Sequence, residues 1–316
     1  MISGIAAVAI GIAALAWSAD QFVIGAARVA LLRRVPALVV GVVIIGFGTS
    51  APELLVSALA VLDEQTEVAV GNVVGSNLAN LTLLLGLGAI IAPLAVELRT
   101  IRREAPLVVA ATIAFALAVQ GGIQRWEGIA LIIGLAISLI LVSRQQNSDP
   151  DTSDAVGLET IDLADTEHHR LGQEATRTAI GLVGTVASAQ LLLWGALRIA
   201  DQTGLSGGFV GVTLVAIGTS LPELVTVIQS ARRHQTDLIV GNLLGSNLFN
   251  ALAVGGIIGI LGGPSVDDRA LTIIAPVAAA IVAVLAAIAM ATRHTVTRTE
   301  GLCLVGLYAC AVPFLA

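Results

Sequence analysis

The chain has 316 residues, of which 56% are hydrophobic, 12% charged and 3% aromatic, with a formal net charge of −6. A soluble domain carries about a quarter charged residues, so this composition excludes a globule coated by water. The apolar residues also form long runs, such as Ile129 to Val142 and Leu271 to Ala291, and a membrane helix needs roughly 20 predominantly apolar residues.

In chain order, helices are predicted near 2–29, 36–60, 67–95, 105–121 and 126–143. The first opens Met1-Ile2-Ser3-Gly4 with no positive charge ahead of it and reads as a retained helix. Residues 144–173 then form the one long polar stretch, carrying Asp149, Asp151, Asp154, Glu159, Asp162, Asp165 and Glu167. It is expected to be a flexible, solvated linker; its acidic residues lack the glycine-turned spacing of an EF-hand. Helices near 174–200, 208–231, 236–262, 269–291 and 298–315 follow. Cys303 and Cys310 lie in the last and read as small packing residues. The expected fold is therefore all-α and polytopic, with ten transmembrane helices in two five-helix units, 1–143 and 174–316, joined by the linker.

Arginines choose the orientation, because cytoplasmic loops hold an excess of them. With the N-terminus outside, thirteen of the sixteen lie inside and only Arg125, Arg198 and Arg269 outside. Both termini are then outside and the linker is cytoplasmic, in the cell membrane.

The two units are copies. Gly48-Thr49-Ser50-Ala51-Pro52-Glu53-Leu54 matches Gly218-Thr219-Ser220-Leu221-Pro222-Glu223-Leu224, 170 positions on. Asn72, Gly75, Ser76, Asn77 and Asn80 match Asn242, Gly245, Ser246, Asn247 and Asn250 at the same offset, and Arg28 falls on Arg198. Five helices per unit is an odd number, so the second copy enters the membrane from the opposite side. Inverted repeats of this kind mark secondary transporters, which bind their cargo where the repeats meet.

Glu53 and Glu223 stand inside apolar segments with no arginine near them in sequence. Each carboxylate costs at least about 2.5–3.5 kcal/mol at the bilayer centre, and such residues are functional by default. Pro52 and Pro222 cannot donate to the carbonyls of Gly48 and Gly218, and unpaired backbone at membrane depth survives only where it lines a cavity or is buried in protein. Thr49, Ser50, Thr219 and Ser220 place hydroxyls within one turn of the carboxylates. Asn72, Ser76 and Asn80, spaced by four, share one helix face, as do Asn242, Ser246 and Asn250. This inventory is all oxygen, with neither thiolate nor imidazole. Calcium takes six to eight oxygens, whereas zinc or copper calls for His or Cys. Two carboxylates balance one divalent ion, and when it leaves the charge must be met by sodium ions or protons, because an unpaired buried carboxylate pair is costly.

These motifs resemble the two alpha-repeats of the calcium/cation antiporter superfamily, specifically its prokaryotic sodium/calcium exchanger branch. The resemblance covers both motif blocks, the ten-helix layout and the linker. It implies a central cluster of cation sites exposed alternately to each side, with helices two, three, seven and eight holding the ions while helices one and six slide or rock across them. It further implies Thr49, Ser50, Glu53, Ser76, Asn80, Thr219, Ser220, Glu223, Ser246 and Asn250 as ligands of the transported Ca2+ and Na+. Some members carry Asp where this chain has Asn250, and others Asn, so this site holds two carboxylates instead of three. No cofactor and no nucleic-acid partner is expected; the partners are membrane lipid and the transported cations, and the chain is expected to act as a monomer. Asp20, mated with Gln190, lines an entry route or marks a helix end. Proton-coupled exchange on the same fold is the alternative. A cation channel could use the same ligands. An intramembrane serine hydrolase would need a base beside Ser50 or Ser76, and His168, His169, His234 and His294 all fall in predicted loops.

Overall fold

The computed structural model describes residues 1–33, 50–96, 98–146, 170–233, 236–263 and 265–311. Apolar sequence at membrane depth must satisfy its backbone internally, which leaves helices as the solution here. Among the described residues, seven helices are long and apolar enough to cross a membrane, and an eighth span results if the bent pair Gly207–Thr219 and Leu221–Arg232 counts as one. The two remaining expected segments are described as shorter helices, Ala51–Leu62 and Arg298–Ala311; residues 34–49 and 312–316, which adjoin them, lie outside the described residues. The chain is a multi-pass membrane protein. Its outer faces are apolar, with Ile133, Ile137 and Ile140 exposed on one helix and Ile281, Leu285 and Ile288 on another. Cys303 and Cys310, expected as small packing residues, are exposed and free.

Inverted topology is visible in the long first helix, Ile2–Leu32, and its repeat mate, Leu171–Thr203. They run antiparallel. Gly4 lies against Ile199 and Gly195, Gly11 against Leu192, and Gly25 against Thr178, each so close that a methyl group would meet a neighbour at 3.1 Å or less. Small residues let helix backbones approach where no hydrophobic force separates helix from lipid. At one end of the pair Arg28 donates to Glu174 at 3.3 Å. At the other, Arg198, the mate of Arg28, sits over the Trp194 ring, 5.2 Å from its centroid. One duplicated arginine therefore marks opposite ends of the bundle.

The centre is set by burial. Spans Thr66–Ile91 and Ile239–Leu261 are 78% and 83% buried, against 17% to 44% for the other five. Each is interrupted at the same repeat position by a π-helical turn, Asn80–Leu84 and Asn250–Val254. The amides of Leu85 and Gly255 reach five residues back, to the carbonyls of Asn80 and Asn250. Such turns are concentrated at functional sites. A two-residue antiparallel ladder also joins the repeats: Leu94 pairs with Val296 and Ala95 with Thr295.

Predicted boundaries differ from these by a few residues. The helix Arg125–Gln146 outruns its expected end at 143, and the next begins at Leu171. Of the polar stretch between, residues 147–169 lie outside the described residues.

Close packing also fixes the two repeats against each other. A methyl group on Gly71 would meet the Gly208 carbonyl at 2.6 Å, and one on Gly75 would collide with the Val212 carbonyl. Backbone cannot move aside as a side chain can. Gly75→Ala is accordingly expected to cost about 1–3 kcal/mol, read as a lower midpoint of thermal unfolding in detergent. Gly306→Ala, on the outer face with nothing within 4 Å, leaves the midpoint unchanged. Equal midpoints for both variants would refute the packing assigned to Gly75.

Candidate cation site

Proline sets the local geometry of the site. In both repeats the chain breaks one residue before a new helix whose second residue is proline. Ser50 and Ser220 have nearly the same backbone angles there, φ −91°, ψ 7° and φ −82°, ψ 9°. In the second repeat the helix axis turns by 47°. Proline is tolerated in a first turn because its missing amide has no partner to lose. The glutamates then fall in the first turns of Ala51–Leu62 and Leu221–Arg232, where a helix's positive end favours negative charge.

Around the two breaks, every predicted ligand among the described residues is buried. Ser50, Glu53, Ser76, Asn80, Thr219, Ser220, Glu223, Ser246 and Asn250 all have at most 3% of their surface exposed. Thr49, like Gly48, lies outside the described residues. Hydrogen bonds hold the cluster across the repeat boundary. Ser220 of the second repeat donates to Glu53 Oε1 of the first at 3.2 Å. Ser246 donates to Glu223 Oε1 at 3.3 Å. The Ser76 hydroxyl reaches the Ala216 carbonyl of the other repeat at 3.5 Å.

What remains unpaired defines the chemistry. Glu53 Oε2, Glu223 Oε2, Ser50 Oγ, Asn80 Oδ1 and both amide atoms of Asn250 are buried with no hydrogen-bond partner. Native proteins satisfy nearly all buried polar groups, and leaving one unpaired costs about 1–3 kcal/mol, more for a charge. Five of these atoms are oxygens, two of them on carboxylates. A hard cation supplies what all five lack; an anion or an apolar ligand does not.

Not every polar residue of the predicted stripe belongs to this set. Asn72 is fully engaged: its Nδ2 donates to the Glu53 carbonyl at 3.2 Å and to Ser57 Oγ at 2.9 Å, and its Oδ1 accepts from Thr219 Oγ1 at 3.1 Å. It is a strut that fixes the break of one repeat to the break of the other. Thr219, expected as a ligand, spends its hydroxyl proton on Asn72 and on the Ala216 carbonyl, which leaves its oxygen lone pairs. Asn77 and Asn247, absent from the predicted ligands, join the cluster: Asn80 Nδ2 donates to Asn247 Oδ1 at 2.9 Å, and Asn247 Nδ2 to the Asn77 carbonyl at 3.2 Å. Their repetition at the same offset of 170 positions was the available signal.

Groups outside the cluster are placed differently. Asp20 is exposed, where it accepts from Gln21 at 3.2 Å, while its mate Gln190 donates to Asp63 at 3.0 Å. His294, the one histidine among the described residues, caps a helix at the surface, away from Ser50 and Ser76.

Comparison with known proteins bears on the family and the fold. A family model described as sodium/calcium exchanger protein matches residues 3–144 and 176–316. A putative antiporter CaxA from Alkalimonas amylolytica is 37% identical over 272 residues, covering 83% of this chain and 82% of its own. The sodium/calcium exchanger MaX1 of Methanosarcina acetivorans is 28% identical over 334 residues, covering 95% and 94%. Among solved structures, the sodium-calcium exchanger NCX_Mj superposes with a TM-score of 0.66 at 26% identity, over 99% of this chain and 98% of that one.

Proposed function

Because the chain belongs to the sodium/calcium exchanger protein family, we propose that the buried oxygen cluster is where its cations bind, with Glu53 and Glu223 as the charged ligands. The protein is an antiporter that exchanges Ca2+ for Na+ across a membrane. One observation carries the site: two carboxylate oxygens, one from each repeat, are buried without a partner, in a cluster otherwise made of neutral oxygen and amide groups.

The charge rule gives the exchange. One calcium ion neutralises the glutamate pair, and the pair cannot stand empty in a low-dielectric interior without a large penalty. Release of calcium is therefore tied to entry of monovalent cations carrying the same charge. Ser50, Ser76, Asn80, Ser220, Ser246, Asn250, the Thr219 oxygen and Thr49 complete the oxygen shell. Asn72 keeps the two breaks in register as the cargo changes. The paired helices Ile2–Leu32 and Leu171–Thr203 are the moving element: they pack tightly on each other and reach the site through contacts such as Ile12 on Gly218. Their displacement opens the cluster to each side in turn.

In this reading the first repeat spans 1–143, the linker 144–173 and the second repeat 174–316, an arrangement supported by a family match in two stretches that leave 145–175 aside. The protein works as a monomer in the cell membrane; the arginine distribution supports an orientation with termini outside and linker in the cytoplasm. It needs no cofactor, and its activity is transport, not catalysis.

Calcium uptake into proteoliposomes tests the coupling. An outward sodium gradient is expected to drive uptake, and an outward proton gradient of the same size is not. Uptake driven by protons alone would move the protein to proton-coupled exchange on the same glutamates. Calcium flux with no counter-gradient would make it a channel.

A further inference from the structure

The geometry points to Asn247 as a positioning residue that sets which face Asn80 turns to the cation. This rests on the reading of Asn80 as a ligand. A side-chain amide has two ends, an oxygen that can bind a cation and an NH2 that repels one, and a half-turn of the group exchanges them. An asparagine ligand is thus only as good as whatever holds its orientation.

Here the orientation follows from a backbone atom. The Asn77 carbonyl can only accept, so the Asn247 end that lies 3.2 Å from it must be Nδ2. The other end of Asn247, its Oδ1, is then the group 2.9 Å from Asn80. An oxygen there demands a donor, so Asn80 presents Nδ2 to Asn247 and leaves its own Oδ1 buried and unbonded. The polarity passes from one repeat's backbone, through the other repeat's amide, to the ligand. Asn77, Asn80 and Asn247 are all buried, with 1% or less of their surface exposed.

Repeat symmetry does not supply this lock twice. The mirrored bond would run from Asn250 Nδ2 to Asn77 Oδ1, and both of those atoms are buried without a partner. Asn80 is tied and Asn250 is untied. The two equivalent amides therefore enter the site in different conditions, one with its oxygen fixed outward and one able to turn.

The test uses sodium-driven calcium exchange by the full-length protein in proteoliposomes, with the KM for calcium and the saturated rate read separately. Asn247→Ala and the closer-shaped Asn247→Leu both free the Asn80 amide. Each is expected to raise the calcium KM on the order of tenfold, the scale of one lost hydrogen bond with its partner left buried, with a smaller change in the saturated rate. A structural role for Asn247 could also weaken binding, so the deciding variant is Asn80→Asp. Its two carboxylate ends are both oxygens, and orientation no longer matters. The added charge acts in both backgrounds, so the cycle is read from the difference between them: Asn80→Asp should lower the calcium KM more in Asn247→Ala than in the wild type, where it sets an oxygen against Asn247 Oδ1. An effect of Asn80→Asp on the calcium KM that is the same in both backgrounds would overturn the proposal. So would an unchanged calcium KM in Asn247→Ala and Asn247→Leu where Asn80→Ala impairs binding, an outcome that leaves the cation site standing. A wild-type calcium KM in Asn80→Ala would instead remove Asn80 from the site, and the role of Asn247 with it.

Discussion

Glu53→Gln is expected to abolish sodium-driven calcium uptake, and Glu223→Gln to do the same. Glutamine keeps nearly the same shape, so the effect isolates charge. With one carboxylate gone, a bound calcium ion leaves a net positive charge in a buried cluster of neutral oxygens. A unit charge about 4 Å away is worth roughly 4 kcal/mol at the effective dielectric of a protein site, or on the order of a thousandfold in calcium affinity. The substitution also alters a hydrogen-bonded end: Glu53 Oε1 accepts from Ser220, and Glu223 Oε1 from Ser246. An amide can turn its oxygen to keep that bond, but it then points NH2 where Oε2 was unpaired. Both faces of the effect act against a cation. Asp201→Asn, at an exposed helix end, is the control and should transport normally. Each variant is checked for membrane insertion and a single symmetric peak on size exclusion. Calcium-coupled flux near the wild-type rate in well-folded Glu53→Gln would exclude the two-carboxylate site.

The carboxylates were legible in the sequence because their signal is local and doubled. A glutamate beside a proline in an apolar run is already costly, and its recurrence 170 positions later makes accident a poor explanation. The serines were legible as site residues for the same reason, but their pairing was not: Ser220 donates to Glu53 of the other repeat and Ser246 to a glutamate 23 residues away, whereas close spacing along one helix pointed to Ser50 beside Glu53. The break itself was half legible. Pro222 announced that a carbonyl would go unpaired; the 47° turn between Thr219 and Leu221 depends on what packs around it.

Three features had no local signal. The π-helical turns at Asn80–Leu84 and Asn250–Val254 contain no proline and look like ordinary apolar helix. Asn72 shares a face with Ser76 and Asn80, and periodicity alone cannot tell a ligand from a strut. That distinction needs the three partners, Glu53, Ser57 and Thr219, one of which comes from the other repeat. Asn247 differs again, because its role is defined by the polarity of a bond to a backbone carbonyl 170 residues away in sequence. Repetition finds which residues matter together, and the contacts between repeats assign what each does.

Asn250 is where the repeats and the charge rule meet, and Asn250→Asp is the variant expected to change the coupling itself. Both amide atoms of Asn250 are unpaired, so a carboxylate of similar size can enter without breaking a hydrogen bond. It brings a third negative charge to a site that calcium already neutralises. At a separation of about 4 Å that charge is again worth roughly 4 kcal/mol toward a cation, which predicts a calcium KM lower by tenfold or more once part of the gain is spent on desolvating the new carboxylate. The calcium-loaded site would then carry a net charge of about −1 by the same rule, so a further monovalent cation must travel with each cycle. The expected readout is a steeper dependence of calcium exchange on sodium, by about one ion, together with the fall in calcium KM. Wild-type values for both would place Asn250 away from the cations, leave its unpaired amide without a role, and reduce the charged part of the site to what Glu53 and Glu223 do alone.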